Sequence, residues 1–167
     1  MDEQGAARRQ GRTGRTEGVD AESARGDAPV ASAAAHDAAT DQAAADEARL
    51  RFRRQGVALL DPDERIGPLL EPDEQLVAVR RSAVMYRPQN PESGESSPVE
   101  VDVYVTSRRL VLAGPDMLAF DLATVDEAVV SHERLLLVLC DGVGLALEVG
   151  WPRLLRVEIA AARAARR

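Results

Sequence analysis

The stretch VEVDVYVT at residues 99–106 decides the fold class, because its apolar and polar residues alternate strictly. Successive side chains of a β-strand point to opposite faces of a sheet. Val99, Val101, Val103 and Val105 therefore face one way and the residues between them face the other. This period of two predicts a strand with one buried face and one solvent-facing face.

Six further strands are predicted around this one from apolar runs bounded by turn residues. Asp141-Gly142 is a strong hairpin signal, because both residue types tolerate a positive φ. Residues 87–98, between the strands predicted at 76–86 and 99–106, contain three prolines and a glycine and are predicted to form a mobile loop. The six strands are predicted at residues 76–86, 109–113, 117–121, 123–131, 135–140 and 143–149.

A helix is predicted at residues 152–166, after the last strand. Pro152 suits its first turn, and the terminal arginines suit the helix dipole. Leu154, Leu155 and Ile159 lie on a broad apolar face that needs a sheet or another chain to cover it.

The sequence before the strands divides into three parts. Residues 1–40 hold almost no large apolar side chain and are predicted to be a disordered tail. Residues 41–56 are rich in helix formers and are predicted to be a linker helix, with Asp41 as its cap and Gly56 at its end. A partner-binding role for this helix is a second interpretation. Residues 57–69 are a connecting segment that precedes the β domain of residues 70–167.

The overall composition narrows the classes of partner. The net charge of -7 disfavours nucleic acid and anionic membranes, which repel an acidic chain. The single cysteine, Cys140, excludes an intrachain disulfide. The first residues lack the apolar core of a signal peptide, and no apolar run approaches the ~18 residues of a membrane span. A cytoplasmic protein is therefore expected. The chain contains arginine but no lysine, which suggests a bacterial source with a GC-rich genome.

Seven strands followed by one amphipathic helix resemble the pleckstrin homology (PH) superfold. LEPDEQL at residues 70–76 is similar to the entry into the first strand of bacterial PH-like and GRAM-like domains. VTSRRLVL at residues 105–112 is similar to the hairpin between their second and third strands. The resemblance implies a mainly β (α+β) fold: two nearly orthogonal antiparallel sheets form a partly open barrel, and the C-terminal helix closes one end.

Residues suited to catalysis or to metal binding are sparse. His36 lies in the predicted tail and His132 in a predicted turn. Cys140 ends the most apolar strand and is expected to be buried as a small hydrophobe. No cluster has the spacing of metal ligands, and no glycine-rich phosphate loop occurs. The sequence therefore predicts a protein that is not an enzyme, with no cofactor, no metal and no small-molecule substrate.

The remaining candidates are binding residues. The leading hypothesis is a PH-like module that binds a protein partner or itself, with Trp151 as a packing anchor or interface residue. The alternative is a peripheral lipid- or anion-binding domain, since many PH domains bind phosphoinositides through basic residues on the first strand and its loop. Ion pairs with Glu100, Asp102 or Asp126 are the competing interpretation for the arginines. The candidate arginines are Arg80, Arg81, Arg87, Arg108 and Arg109.

Overall fold

A computed structural model of the protein describes residues 27–88 and 96–166, with side-chain surroundings for residues 37–86 and 97–166. The chain divides into two compact units, Met1–Ala34 and Ala35–Arg167. The first unit contributes only the beginning of a helix to the described residues, and the second contains the sheet, the C-terminal helix and the candidate site. The elements are α1 (Asp27–Gln55), β1 (Leu76–Pro88), β2 (Ser96–Thr106), β3 (Arg109–Ala113), β4 (Met117–Asp121), β5 (Val125–Ser131), β6 (Arg134–Leu139), β7 (Gly144–Glu148) and α2 (Pro152–Ala165).

The seven strands form one antiparallel sheet in the order β4-β3-β2-β1-β7-β6-β5. The hydrogen-bond ladder continues through β1, which pairs with β2 on one side and with β7 on the other. The sheet is open, since its order ends at β4 and β5. The predicted seven-stranded, mainly β fold with a C-terminal helix is confirmed, with all strands in one continuous sheet.

Helix α1 begins at Asp27, well before the predicted start at Asp41. Residues 27–40, which the sequence analysis placed in a disordered tail, are helical because alanine, the strongest helix former, dominates them. The tail prediction for residues 1–26 lies outside the described residues, as does most of the predicted mobile loop, residues 89–95. The predicted end is confirmed, since α1 stops at Gln55 and Gly56 adopts φ 77°.

One face of the sheet and helix α2 enclose the main core. On β2, Val101, Val103 and Val105 are buried as the alternation predicted. Leu155 and Ile159 of α2 close this core, so two of the three residues predicted on the apolar face of this helix are confirmed as covered by the sheet. Leu154 is the exception: it is half-buried against α1.

The opposite face of β2 is not solvent-facing along its whole length. Tyr104 and Thr106 are both fully buried. Tyr104 belongs to a second apolar cluster that contains Ile66, whose segment also forms a short 3₁₀ turn at Gly67–Leu69. The connecting segment therefore covers this face of the sheet. The alternation of residues within β2 could not predict this, because it carries no information about a distant segment.

The sequence predicted that Asp41 caps α1. In the structure it stabilises the other helix, α2, instead. Its carboxylate accepts hydrogen bonds from the backbone N–H of Arg153 (2.8 Å) and of Leu154 (2.9 Å) in the first turn of α2. The residue at the usual capping position, Trp151, makes no side-chain cap. Asp41 is 4% exposed, so α1 docks on α2 through a buried, charge-assisted contact.

The turn between β5 and β6 is strained, and relieving it should stabilise the fold. His132 and Glu133 form the predicted two-residue turn, with φ of 46° and 63°. Such turns favour Asn-Gly, because both positions need a positive φ. We expect His132→Asn combined with Glu133→Gly to raise the free energy of unfolding by about 1 kcal/mol in urea denaturation. Glu127→Gly, within β5, is the control and should destabilise; a turn variant no more stable than the parent protein would contradict this account.

Candidate functional site

The two adjacent arginines of β1, Arg80 and Arg81, do not form a patch. The register of β1 against β2 shifts between Arg80 and Ala83, and Ser82 adopts φ 53°, which indicates a β-bulge. Arg80 Nη2 donates to Glu158 Oε2 of α2 at 2.6 Å. Burial raises the pKa of Glu158, and the neighbouring charge of Arg80 partly offsets this increase.

Arg81 is held on a different set of partners. Its Nη1 donates to Asp102 Oδ2 (2.8 Å) and to the Tyr104 hydroxyl (2.6 Å), and its Nη2 pairs with Asp63. Burial is the largest single influence and would raise the pKa of Asp102, but the hydrogen bonds from Arg81 and from the backbone N–H of Ser82, together with the charges of Arg81 and Arg65, outweigh it and lower that pKa. The Arg81–Asp102 pair is one of the pairings considered from sequence. The side chain of Arg87, the third predicted arginine of this strand, lies outside the described residues.

Arg108 and Arg109 contact neither Arg80 nor Arg81. Arg108 Nη1 lies 3.1 Å from Glu71 Oε2, and Arg109 Nη2 lies 2.5 Å from Glu74 Oε2. Their partners come from the turn before β1, so the pairing with Glu100, Asp102 or Asp126 is wrong for these two arginines.

Trp151 is 48% exposed, so it is not a packing anchor. It adopts φ 62° and lines a depression of about 1050 Å³ together with Asp37, His132 and Glu133. The prediction for Cys140 is also wrong: the thiol is exposed, because β6 ends at Leu139 and Cys140 belongs to the following turn. Among the residues that the structure describes, no group of three acidic, histidine or cysteine side chains is arranged to hold a metal ion.

A groove that the sequence analysis did not predict lies between α1, α2 and β5. It has a volume of about 900 Å³. Val125 and Ala128 of β5 contribute to its apolar lining. Helix α2 contributes small residues, among them Ala160, Ala161 and Ala164. Small side chains leave room for larger apolar groups of a ligand.

Among the residues that the structure describes, four arginines are the only charged ones that line this groove. Arg49 and Arg53 belong to α1, and Arg156 and Arg163 to α2. No aspartate or glutamate within the described parts of the chain lines it, although the whole chain is acidic. The groove thus combines an apolar surface with concentrated positive charge.

These arginines differ from the predicted ones in their partners. Arg49 pairs with Asp46 one turn earlier on α1. Within the described residues, Arg53, Arg156 and Arg163 make no ion pair with a carboxylate, whereas the described side chains among the predicted arginines all do. Three guanidinium groups are therefore available to an anionic ligand.

Sequence reasoning missed this site because its rims come from segments about 100 residues apart in the chain. The signal that was present is the run RLRFRRQ at residues 49–55, which concentrates arginine at the end of α1. The packing of Ala45, Ala48 and Phe52 against Leu154 and Val157 brings that run beside α2.

Sequence comparison identifies no matching family model and no related curated protein. Within the parts of the chain that the structure describes, no helix combines the length and apolar character needed to cross a bilayer.

Proposed function

We propose that this chain is a non-catalytic, PH-like binding module of the bacterial cytoplasm, and that it binds a protein partner through the groove between α1, α2 and β5. The observation that carries the proposal is an apolar lining with four arginines and, within the described ranges 27–88 and 96–166, no acidic residue. Protein interfaces characteristically join an apolar centre to a polar rim, and arginine is enriched in them.

The strand order and the C-terminal helix support the PH-like part of the proposal. Such domains mostly act as binding modules, and a fold alone does not specify a ligand. The groove therefore indicates the kind of ligand, which the fold does not specify, because its surface has a defined chemical character.

The alternative, a lipid- or anion-binding domain using the arginines of β1 and of the β2–β3 hairpin, receives less support. Arg80, Arg81, Arg108 and Arg109 are each held by carboxylates, and a lipid phosphate would have to displace them. The four side chains also divide among three separate clusters. No cluster of uncompensated positive charge results at these positions.

Site-specific photocrosslinking in cells of the source organism tests the proposed protein-binding function. A photoreactive residue at Ala160, in the groove, should yield a crosslinked species of defined mass. The matched control is Ala119, which is exposed on β4 at the other end of the sheet order and should give little crosslinking. A species of twice the chain mass would identify the partner as a second copy.

Charge reversal is the second arm of the same experiment. Combining Arg156→Glu with Arg163→Glu should abolish the crosslink from Ala160, because the arginines line the contact surface. Equal crosslinking at Ala160 and Ala119, or a crosslink that survives the charge reversal, contradicts the proposed function.

A further inference from the structure

The rims of the groove carry positive charge with helical spacing. Arg49 and Arg53 are four residues apart on α1, so one turn separates them. Arg156 and Arg163 are seven residues apart on α2, so about two turns, or about 10 Å, separate them. The same spacing recurs along one side of any helix that lies in the groove.

The area between the rims is suited to a large apolar side chain. Ala160 and Ala164 are exposed there, and Ala161 is half-buried. They carry no bulk that would hold a ligand away from the half-buried apolar side chains of Phe52 and Val57, which also line the groove. An occupant thus needs an apolar stripe to cover this surface and negative charge beside the stripe to meet the arginines.

We propose that the occupant is an acidic amphipathic helix of a partner protein, with leucine-like residues at positions i, i+3, i+4 and i+7 and carboxylates flanking them. This inference rests on the proposed function and adds the chemistry and conformation of the partner segment. A helix in a groove is a recurrent mode of peptide recognition, and charge complementarity gives it orientation.

A membrane surface or a single acyl chain fits these observations less well. A bilayer presents a broad anionic surface, which the net charge of -7 repels outside the groove. An acyl carboxylate carries one negative charge, whereas Arg53, Arg156 and Arg163 offer three uncompensated positive charges within the described residues. Several carboxylates on one helix satisfy all three.

Fluorescence anisotropy with the full chain and a labelled synthetic peptide tests the inference. The probe is a peptide of about 18 residues, ~27 Å long as a helix, with leucine at the four positions and glutamate beside them. Its controls are the same peptide with lysine in place of every glutamate and a peptide with the same composition in scrambled order. We expect saturable binding of the glutamate peptide alone, with a gain of helicity on binding in circular dichroism.

Two variants connect this binding to the groove. Combining Arg156→Glu with Arg163→Glu should weaken binding by about tenfold or more, because two attractive contacts become repulsive. The matched control is Arg54→Glu, which is exposed on α1 and does not line the groove, and it should change affinity by no more than about twofold. Circular dichroism of each variant checks that the fold is retained.

The results that overturn the inference are distinct from those that overturn the proposed function. Equal binding of the lysine or scrambled peptide, or equal loss in the Arg54 variant, refutes an acidic helix as occupant. Binding of phosphatidylglycerol vesicles that Arg156→Glu and Arg163→Glu abolish, without binding of the peptide, assigns the groove to a membrane instead. If the parent chain gives the Ala160 crosslink, and the charge reversal abolishes it, but no peptide binds, the protein-binding function stands and the helical occupant is refuted.

Discussion

Replacing Glu74 with alanine is expected to lower the free energy of unfolding by about 3–5 kcal/mol, because the change leaves a partly buried arginine without its buried carboxylate partner. The Glu74 side chain is 0% exposed. Its Oε1 accepts from Thr106 Oγ1 (2.5 Å) and from Arg109 Nε (3.0 Å), and its Oε2 accepts from Arg109 Nη2 (2.5 Å) and from the backbone N–H of Glu71 (2.9 Å). One substitution removes every one of these bonds.

The same carboxylate should make stability depend on pH. Burial on its own would raise the pKa of Glu74, but the hydrogen bonds from Arg109, Glu71 and Thr106 outweigh it and lower the pKa from 4.5 to about 2. The unfolded chain therefore takes up this proton first as the pH falls. The contribution of the ionised group is complete above the unfolded pKa and declines between pH ~4.5 and pH ~2, by about 3 kcal/mol in total.

Urea denaturation of the parent protein and of Glu74→Ala, at neutral pH and through this acid range, measures both effects. Glu74→Gln should fall between them at neutral pH, since an amide retains one acceptor but loses the charge. Glu64→Ala, at an exposed glutamate of the preceding segment, is the matched control and should leave stability and its pH dependence nearly unchanged. The acid dependence should be smaller in Glu74→Ala than in the parent protein, and the remainder comes from carboxylates such as Asp102, whose pKa is also lowered. An acid dependence of undiminished size in Glu74→Ala would show that other groups produce it.

Asp41→Ala should produce the second-largest loss, about 2 kcal/mol, because it leaves two backbone N–H groups of α2 without acceptors at a buried site. Asp41 and Arg153 are also 3.5 Å apart as an ion pair. Since α1 carries Arg49 and Arg53, loosening its contact with α2 should also weaken binding in the groove. The effect of this one residue therefore links the stability of the helix pair to the integrity of the candidate site.

Hydrogen exchange of the Arg153 and Leu154 amides, together with urea denaturation, measures this contact directly. Both amides should lose protection in Asp41→Ala. The matched control is Asp46→Ala, which removes an exposed carboxylate of the same helix that contacts only Gln42 and Arg49 on α1 itself. Equal destabilisation by the two substitutions would mean that the contact between α1 and α2 contributes little.

The strands were predictable because their signals are local. Alternation in residues 99–106, the Asp141-Gly142 turn and the proline at the start of α2 each report on a few neighbouring residues. The burial of Tyr104 and the exposure of Cys140 were not predictable in this way. Each depends on whether a distant segment covers that point of the surface.

The candidate site shows the same division between local and distant information. Arginine was recognised as the relevant residue type, but the arginines selected, such as Arg80 and Arg109, are neutralised by Glu158 and Glu74, far away in sequence. The arginines that line the groove were not among the predicted binding residues, because the helix of residues 41–56 was predicted to be a linker, with partner binding as the second interpretation. The charge of a patch depends on which carboxylates the fold brings within reach.

By itself, the sequence determined the class of this protein: an aliphatic, mainly antiparallel β domain of seven strands followed by one amphipathic helix. Those features follow from hydrophobic periodicity and turn chemistry, which act over a few residues. Only the tertiary structure decided that Asp41 caps α2 rather than α1, and that α1 and α2 together form an arginine-lined groove. Both results require contacts across more than 100 residues, and no local pattern specifies which distant partner a polar side chain will meet.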